Sequence, residues 1–266
     1  AVTALLDGHS GFGQVVAERA TQVAVEKARA QGVGIVCAFR SQHIGRIGEY
    51  TEMIADAGLI GFCVVNASRI VAPFGGLARQ LSTNPIAFSV PILGERPLLL
   101  DFATSAVAAN KLRVYAAKGL PVPPGWIMDK EGAPSTDPLD FFAGGYLLTF
   151  GGHKGYGLNL MVEVLGGLLS GTGGTMFDDY PGGNGVFIMA LAPEFFRPSD
   201  EFLADVRRLV DALRATPPRD GVEKVLVPGD LEVAATARYR RDGVELDAQT
   251  WGLIVEAGRS VGIEYR

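Results

Sequence analysis

Over the first 65 residues the hydrophobic pattern switches between the strand period and the helix period, and this alternation restricts the fold more than any single motif. Ala1 to Leu6 is a short apolar run that reads as a strand. Asp7-Gly8-His9-Ser10-Gly11-Phe12-Gly13 breaks it. Residues 14–31 read as a helix with Val16, Ala20, Val23 and Ala24 on one face and Gly32 as its stop. Gly34 to Phe39 reads as a buried strand. Residues 46–57 read as a second helix with Ile47, Tyr50, Ile54 and Ala57 on one face, stopped by Gly58. Leu59 to Val65 reads as a third strand. Strand–helix–strand–helix–strand predicts α/β layering with parallel pairs.

The middle of the chain changes texture. Asn84 to Val90 and Pro97 to Phe102 are short strands close enough to pair antiparallel, which makes the expected sheet mixed. Thr104 to Lys118 reads as a helix with Ser105 as its cap, and Pro121 to Pro138 as an irregular, proline-rich stretch holding Trp126. An apolar helix over 156–169 ends at Gly171, Gly173 and Gly174. Val186 to Leu191 reads as a strand. Ser199 is the expected cap of a helix reaching Leu213, and a charged tail leads to a last helix near 248–261. The fold class is therefore α/β, a mixed sheet flanked by helices. With 266 residues, 48% of them hydrophobic, the chain can bury a sizeable core in one large domain or two lobes.

Composition also narrows function. A formal charge of −5 argues against nucleic acid, whose phosphates call for a basic face. Cys37 and Cys63 lie in apolar runs and read as buried, reduced thiols. No run of 18 apolar residues and no signal peptide are visible, so a soluble cytoplasmic protein without membrane contact is expected. Three histidines and two dispersed cysteines show no metal spacing, and no Gly-x-Ser-x-Gly elbow is present.

The segment with most chemical content is Gly151-Gly152-His153-Lys154-Gly155-Tyr156-Gly157, which runs into the apolar helix. Glycines let backbone amides approach a ligand, and a helix N-terminus favours negative charge. This reads as an anion-binding loop. It is not a Walker loop, because Gly155 follows Lys154. Gly11-x-Gly13-x-x-Val16 falls short of the dinucleotide fingerprint: the third glycine is a valine, and the acidic residue due about 20 positions on is missing. His43 sits just after a strand, where sites gather in α/β sheets; a proton shuttle and a structural histidine are both open readings. Asp101-Phe102-Ala103-Thr104-Ser105 either caps a helix or holds a phosphate or ribose. Pro228-Gly229-Asp230 reads as a turn. Glu163, an acid on an apolar helix, reads as a buried partner of some basic residue.

Together these segments resemble the malate/L-lactate dehydrogenase family, whose nicotinamide-dependent members lack a Rossmann fold. The match is collinear over nearly the whole chain. It runs through Asp7-Gly8 with Gly11-Phe12-Gly13, Ser41-Gln42-His43-Ile44-Gly45, Val71-Ala72-Pro73-Phe74-Gly75-Gly76 and Thr83-Asn84-Pro85-Ile86-Ala87-Phe88. It continues through Asp101 to Ser105, Lys111, Leu120-Pro121 up to Gly125-Trp126, Asp129 and Gly132, the glycine loop, Pro228-Gly229-Asp230 and Asp242-Gly243-Val244 with Trp251.

The resemblance implies an oxidoreductase that uses NAD or NADP to move hydride to or from a small 2-hydroxy or 2-oxo acid, or a related imino acid. It implies that Asp101, Phe102, Ala103, Thr104, Ser105, His153, Lys154, Gly155, Gly229 and Asp230 contact the dinucleotide, that His43 is the acid/base near the nicotinamide, and that Thr83 and Asn84 line the substrate side. It further implies a homodimer, with residues 71–144 as the central part of the cofactor lobe and 1–70 with 145–266 as the substrate and dimerisation lobe. The family's N-terminal helical segment, with an Asp-Ser-His-Gly motif, is not in the sequence given. The alternative expectation is accordingly a non-catalytic anion-binding or assembly module left without that segment.

Overall fold

A computed structural model describes residues 1–264, with the side chain of Gln249 left out. The chain divides into two compact units, Ala1–Pro228 and Gly229–Arg266. In the first unit the described residues form the strands β1 (Thr3–Asp7), β2 (Val33–Ser41), β3 (Ile60–Val65), β4 (Ile86–Val90), β5 (Leu98–Phe102), β6 (Ile127–Met128), β7 (Pro134–Ser135), β8 (Tyr146–Leu147) and β9 (Asn184–Leu191). The helices are α1 (Gly13–Gln31), α2 (Gly48–Asp56), α3 (Ala109–Ala117), α4 (Pro138–Phe142), α5 (His153–Val162) and α6 (Ser199–Arg214). α5 runs on into a π-helical segment, Glu163–Leu168.

Six strands make one sheet in the order β1-β2-β9-β3-β4-β5, and β7-β6-β8 make a small second sheet. β1 and β2 pair in parallel, as the opening alternation predicts. The expected parallel pairing of β2 with β3 does not form. β9, far away in sequence, lies between them and runs antiparallel to both. β4 and β5 form the predicted antiparallel pair.

Period-two alternation places each strand's side chains in two cores. Val36 and Ala38 of β2 and Val186, Ile188 and Ala190 of β9 face α1 and α2, where Ala17, Ala20, Ala24, Ala28 and Ile54 are buried against them. Cys37 and Phe187, on the opposite face, pack with Val64 and Val162 under the α5 side. The small residues of α1 let the helix lie close: a Cβ on Gly34 would stand 2.0 Å from the Ala24 carbonyl oxygen. Burying an aliphatic side chain such as Ile54 or Ile188 contributes about 1.5–3 kcal/mol. A further cluster, from Val71 through Leu112 and Ile127 to Leu147, underlies the small sheet.

Several local expectations are corrected. The helix expected over 104–118 begins at Ala109, and Ser105 does not cap it; the Ser105 hydroxyl donates instead to the Val107 carbonyl. The stretch 121–138 is not bare loop, since it supplies β6 and β7. Ser199 is the first helical residue of α6 with Pro198 in the cap position, and no side-chain cap forms there. The second unit holds α7 (Asp230–Asp242), in what reads as a charged tail, and α8 (Ala248–Ser260).

Candidate active site

The strand registers put nearly all the chemically suggestive segments of the first unit on one rim of the large sheet. Asp7 pairs with Phe39, Ser41 with Asn184, Val65 with Val186, Val64 with Ile86, and Ile86 with Phe102. The ends of β1, β2, β3 and β5 and the starts of β4 and β9 therefore coincide. His43, Asn66, Thr83-Asn84 and Asp101 to Ser105 all lie at that rim. Ligand sites in open α/β sheets form at such strand ends.

His43 is exposed, just past β2. Its loop is fixed from several sides. The Ile44 amide donates to Asn184 Oδ1 at 3.1 Å, and the Tyr50 hydroxyl donates to the Ile44 carbonyl. Burial pushes that hydroxyl's pKa up to about 12, so it stays a donor. The Gly48 amide donates to Asp101 Oδ2 at 2.9 Å, and Arg46 Nε stands 3.5 Å from the same oxygen. Gly13 owes its identity to this loop: a Cβ there would stand 2.1 Å from the Gln42 carbonyl oxygen and 2.4 Å from that of His43. The glycines at 11 and 13 thus shape a tight turn under His43.

Backbone pairing joins two of the expected cofactor segments. The Phe150 amide donates to the Thr104 carbonyl, the Ala106 amide donates to the Leu148 carbonyl, and Ser105 bridges Thr149. The glycine loop follows directly. Gly151 and Gly152 have φ of 57° and 62°, and among the described residues no side chain caps the α5 N-terminus. A Cβ on Gly151 would meet nothing within 4 Å, whereas one on Gly155 would stand 2.0 Å from the Phe150 carbonyl oxygen. Gly155 therefore holds the turn shut while Gly151 borders open space. His153 and Lys154 are exposed there, the His153 ring edge-on to Phe74 with centroids 6.2 Å apart. A cavity of about 460 Å³ adjoins the loop, lined by Phe74, Leu77, Met128, Leu148 and the two glycines. Open backbone amides beside a mostly apolar hollow suit a ligand with an anionic part and an aromatic part.

The hydroxyls of Thr104 and Ser105 are spent inside the protein. Thr104 Oγ1 donates to the Asn84 and Thr83 carbonyls, and both residues are buried. Asn84 is buried too, with φ of 37°, while Thr83 is half-buried. The Asn84 side-chain amide donates to Asn159 Oδ1 at 2.9 Å and to Glu163 Oε2 at 2.8 Å. Glu163 has amide partners and not the basic one expected: Asn66 Nδ2, Asn84 Nδ2 and the Thr175 backbone N–H all donate to it. No motif in the sequence marks Asn66, Asn159 or Asn184 as part of a site. Their one signal is polarity beside or within apolar runs. Gly229, with φ of 101°, precedes α7, and Asp230 opens that helix; both belong to the second unit.

Comparison with known proteins decides the family. Its malate/L-lactate dehydrogenase profile matches residues 1–254. The chain belongs to the malate/L-lactate dehydrogenase family. It is 42% identical to an L-lactate dehydrogenase of Cupriavidus necator, over 97% of this chain and 76% of that protein. Among solved structures it is similar to malate dehydrogenase from Entamoeba histolytica, at a TM-score of 0.94 and 29% identity over 100% of this chain and 79% of that one. It is also similar to Δ1-piperideine-2-carboxylate reductase from Pseudomonas syringae, at a TM-score of 0.82 and 31% identity over 94% of this chain and 75% of that one. The family assignment agrees with the failed Rossmann fingerprint at Gly11 and with the mixed sheet.

Proposed function

We propose that this family member uses NAD or NADP to move a hydride between nicotinamide C4 and C2 of a small 2-hydroxy or 2-oxo acid, or a related imino acid. It is an oxidoreductase acting on CH–OH groups, and family membership does not favour the non-catalytic anion-binding alternative. The observation that carries the reading is the uncapped, glycine-led start of α5, paired through Phe150 to Thr104 and opening on a cavity. The residues fit a dinucleotide: a helix start without a side-chain cap and Lys154 for its diphosphate, an apolar hollow for a ring.

A bound nicotinamide supplies or accepts the hydride. The chain supplies orientation, charge and a proton carrier. Lys154, His153 and the amides at Gly155 hold the anionic part, where a helix N-terminus adds about 0.3–1 kcal/mol per charge. Phe102 and Ala103 border the ligand from the end of β5. His43, exposed at the rim, takes the proton from the substrate hydroxyl in oxidation and returns it in reduction. Thr83 faces the substrate, with Asn84 supporting it from behind.

In the same reading residues 71–144 form the central part of the cofactor lobe, supported by a buried cluster drawn mostly from them. The protein is placed in the cytoplasm, in keeping with two free, buried cysteines. It is a homodimer: Leu158, Met161, Val164 and Leu168 leave an apolar stripe on the outer side of α5 and its π-helical extension. No described helix is long and apolar enough to cross a membrane.

The test is a panel of 2-oxo acids and cyclic imines with NADH and with NADPH, read by cofactor oxidation and by cofactor fluorescence on mixing. Turnover is expected with at least one pairing. Neither oxidation nor a fluorescence change would return the protein to the anion-binding alternative. His43→Ala is expected to lower kcat by about 10²–10⁴; near-normal turnover removes His43 from the proton-transfer role.

A further inference from the structure

Glu163 is 2% exposed and takes part in no step above. It is the charged centre of a continuous buried chain of hydrogen bonds. From the His43 side, the Ile44 amide donates to Asn184 Oδ1, Asn184 Nδ2 donates to the Asn66 carbonyl at 2.8 Å, and Asn66 Nδ2 donates to Glu163 Oε1 at 3.1 Å. From the other side, Asn84 Nδ2 donates to Glu163 Oε2 and to Asn159, while Asn159 Nδ2 donates to Thr104 Oγ1 at 2.9 Å and to the Ser82 carbonyl at 2.8 Å. The Thr175 amide, at 2.5 Å, completes the carboxylate's donors.

The helix is deformed to allow this. Glu163 opens the π-helical segment, and such segments are frequent at functional sites. Gly166 and Gly167 lie where it meets Asn66. A Cβ on Gly167 would stand 2.4 Å from Asn66 Nδ2, and one on Gly166 3.0 Å from the Asn66 amide. A buried carboxylate is expensive unless donors surround it, and here three donors do.

We propose that Glu163 is a positioning residue for the reaction: its carboxylate fixes which way the Asn84 amide points, and so holds Thr83-Asn84 in register with the His43 loop. This rests on the dehydrogenase reading above. The amide orientation is forced. Asn84 Nδ2 faces the Asn159 carbonyl, Asn159 Oδ1 and Glu163 Oε2, all acceptors, while among the described residues Asn84 Oδ1 has no partner. Asn159 cannot turn over to accommodate a change, because its own Nδ2 is held by Thr104 and Ser82. Glu163→Gln keeps the shape but has one oxygen. That oxygen goes to the two donors Asn66 and Thr175, which sets the new NH₂ group against Asn84 Nδ2. Asn84 must then turn, losing Asn159.

The experiment uses the complete protein with the substrate and cofactor pairing that turns over in the panel above. Glu163→Gln is expected to lower kcat at least tenfold, with the Kd for NADH or NADPH within threefold and Tm within a few degrees of wild type. Its crystal structure is expected to show Asn84 Nδ2 withdrawn from Asn159. Unchanged kcat overturns the proposal, as does a joint fall of kcat, cofactor affinity and Tm, which marks a purely structural role. Asn84→Gly removes the opposed amide at a left-handed position glycine accepts, so Asn84→Gly/Glu163→Gln is free of the opposed NH₂ groups of the single variant. It is expected to match the kcat of Asn84→Gly alone; a further tenfold loss shows that Glu163 acts by another route. Wild-type protein inactive across the whole panel sinks the dehydrogenase reading and this proposal together. An active wild type with an unaffected Glu163→Gln sinks this proposal alone.

Discussion

Single residues at the rim have identities set by what lies within a few ångströms of them, and two predictions follow from that closeness. Lys154 is exposed at the start of α5, so the cofactor contact proposed for its amine can be tested without disturbing the fold. Lys154→Ala is expected to leave Tm unchanged and to weaken NADH or NADPH binding by about tenfold, the value of one charge-assisted contact of about 1.4 kcal/mol. Titration by cofactor fluorescence checks it, and an unchanged Kd contradicts it. Asp7, at the same rim, accepts from Arg40 Nε at 2.8 Å, and this pairing with the guanidinium, aided by the His9 amide, holds its carboxyl at about 2 against an ordinary 3.8. A depressed carboxylate adds stability above its ordinary pKa and loses it as the pH falls through the folded value. Asp7→Asn is therefore expected to lower Tm at pH 7, with the gap to wild type closing between about pH 4 and about pH 2. A gap that stays constant across that window denies the pair any part in stability. His43, Lys154 and Thr83 come forward as candidates from sequence because motifs name residue types at a position. The partners of Glu163 were not, since Asn66 and Asn84 lie 97 and 79 residues from it.

At the scale of elements, the boundaries that were legible are those with a local cause. Gly32 ends α1 in the left-handed conformation with φ of 84°, as a C-terminal glycine should. The antiparallel β4–β5 pair follows from two short apolar runs and the turn between them. The helix expected to begin near Ser105 fails because residues 104–106 pair with 148–150, and long-range hydrogen bonds outweigh a weak local cap. The π-helical segment had no local signature at all, and it yields a prediction that runs against propensity. Alanine is favoured over glycine within a helix by about 1 kcal/mol. At Gly167 the added Cβ must displace Asn66 and leave buried polar groups unpaired, at about 1–3 kcal/mol for each group. Gly167→Ala is thus expected to destabilise the protein by about 2 kcal/mol in urea unfolding. A gain in stability, or no change, shows that Asn66 is not held as described.

For the whole molecule, the four buried clusters all draw on residues before Gly229, and among the described residues α7 buries none of its side chains. A chain ending at Pro228 is expected to keep a cooperative thermal transition. Loss of the transition in differential scanning calorimetry would show that the second unit is required for folding of the first. The sequence alone determined the alternation of elements, the turn at Gly11–Gly13, the glycine-led start of α5 and, through a dozen motifs in register, the family. Each of these depends on residue type and spacing within a few turns of chain. Tertiary structure alone decided that β9 enters between β2 and β3, that Ser41 stands beside Asn184, and that four buried amide and carboxylate side chains join His43's loop to Thr83. Backbone hydrogen bonding in a sheet is indifferent to side-chain identity. Strand order is therefore settled by how the two faces pack, and the polar chain across the rim exists only once that order is in place.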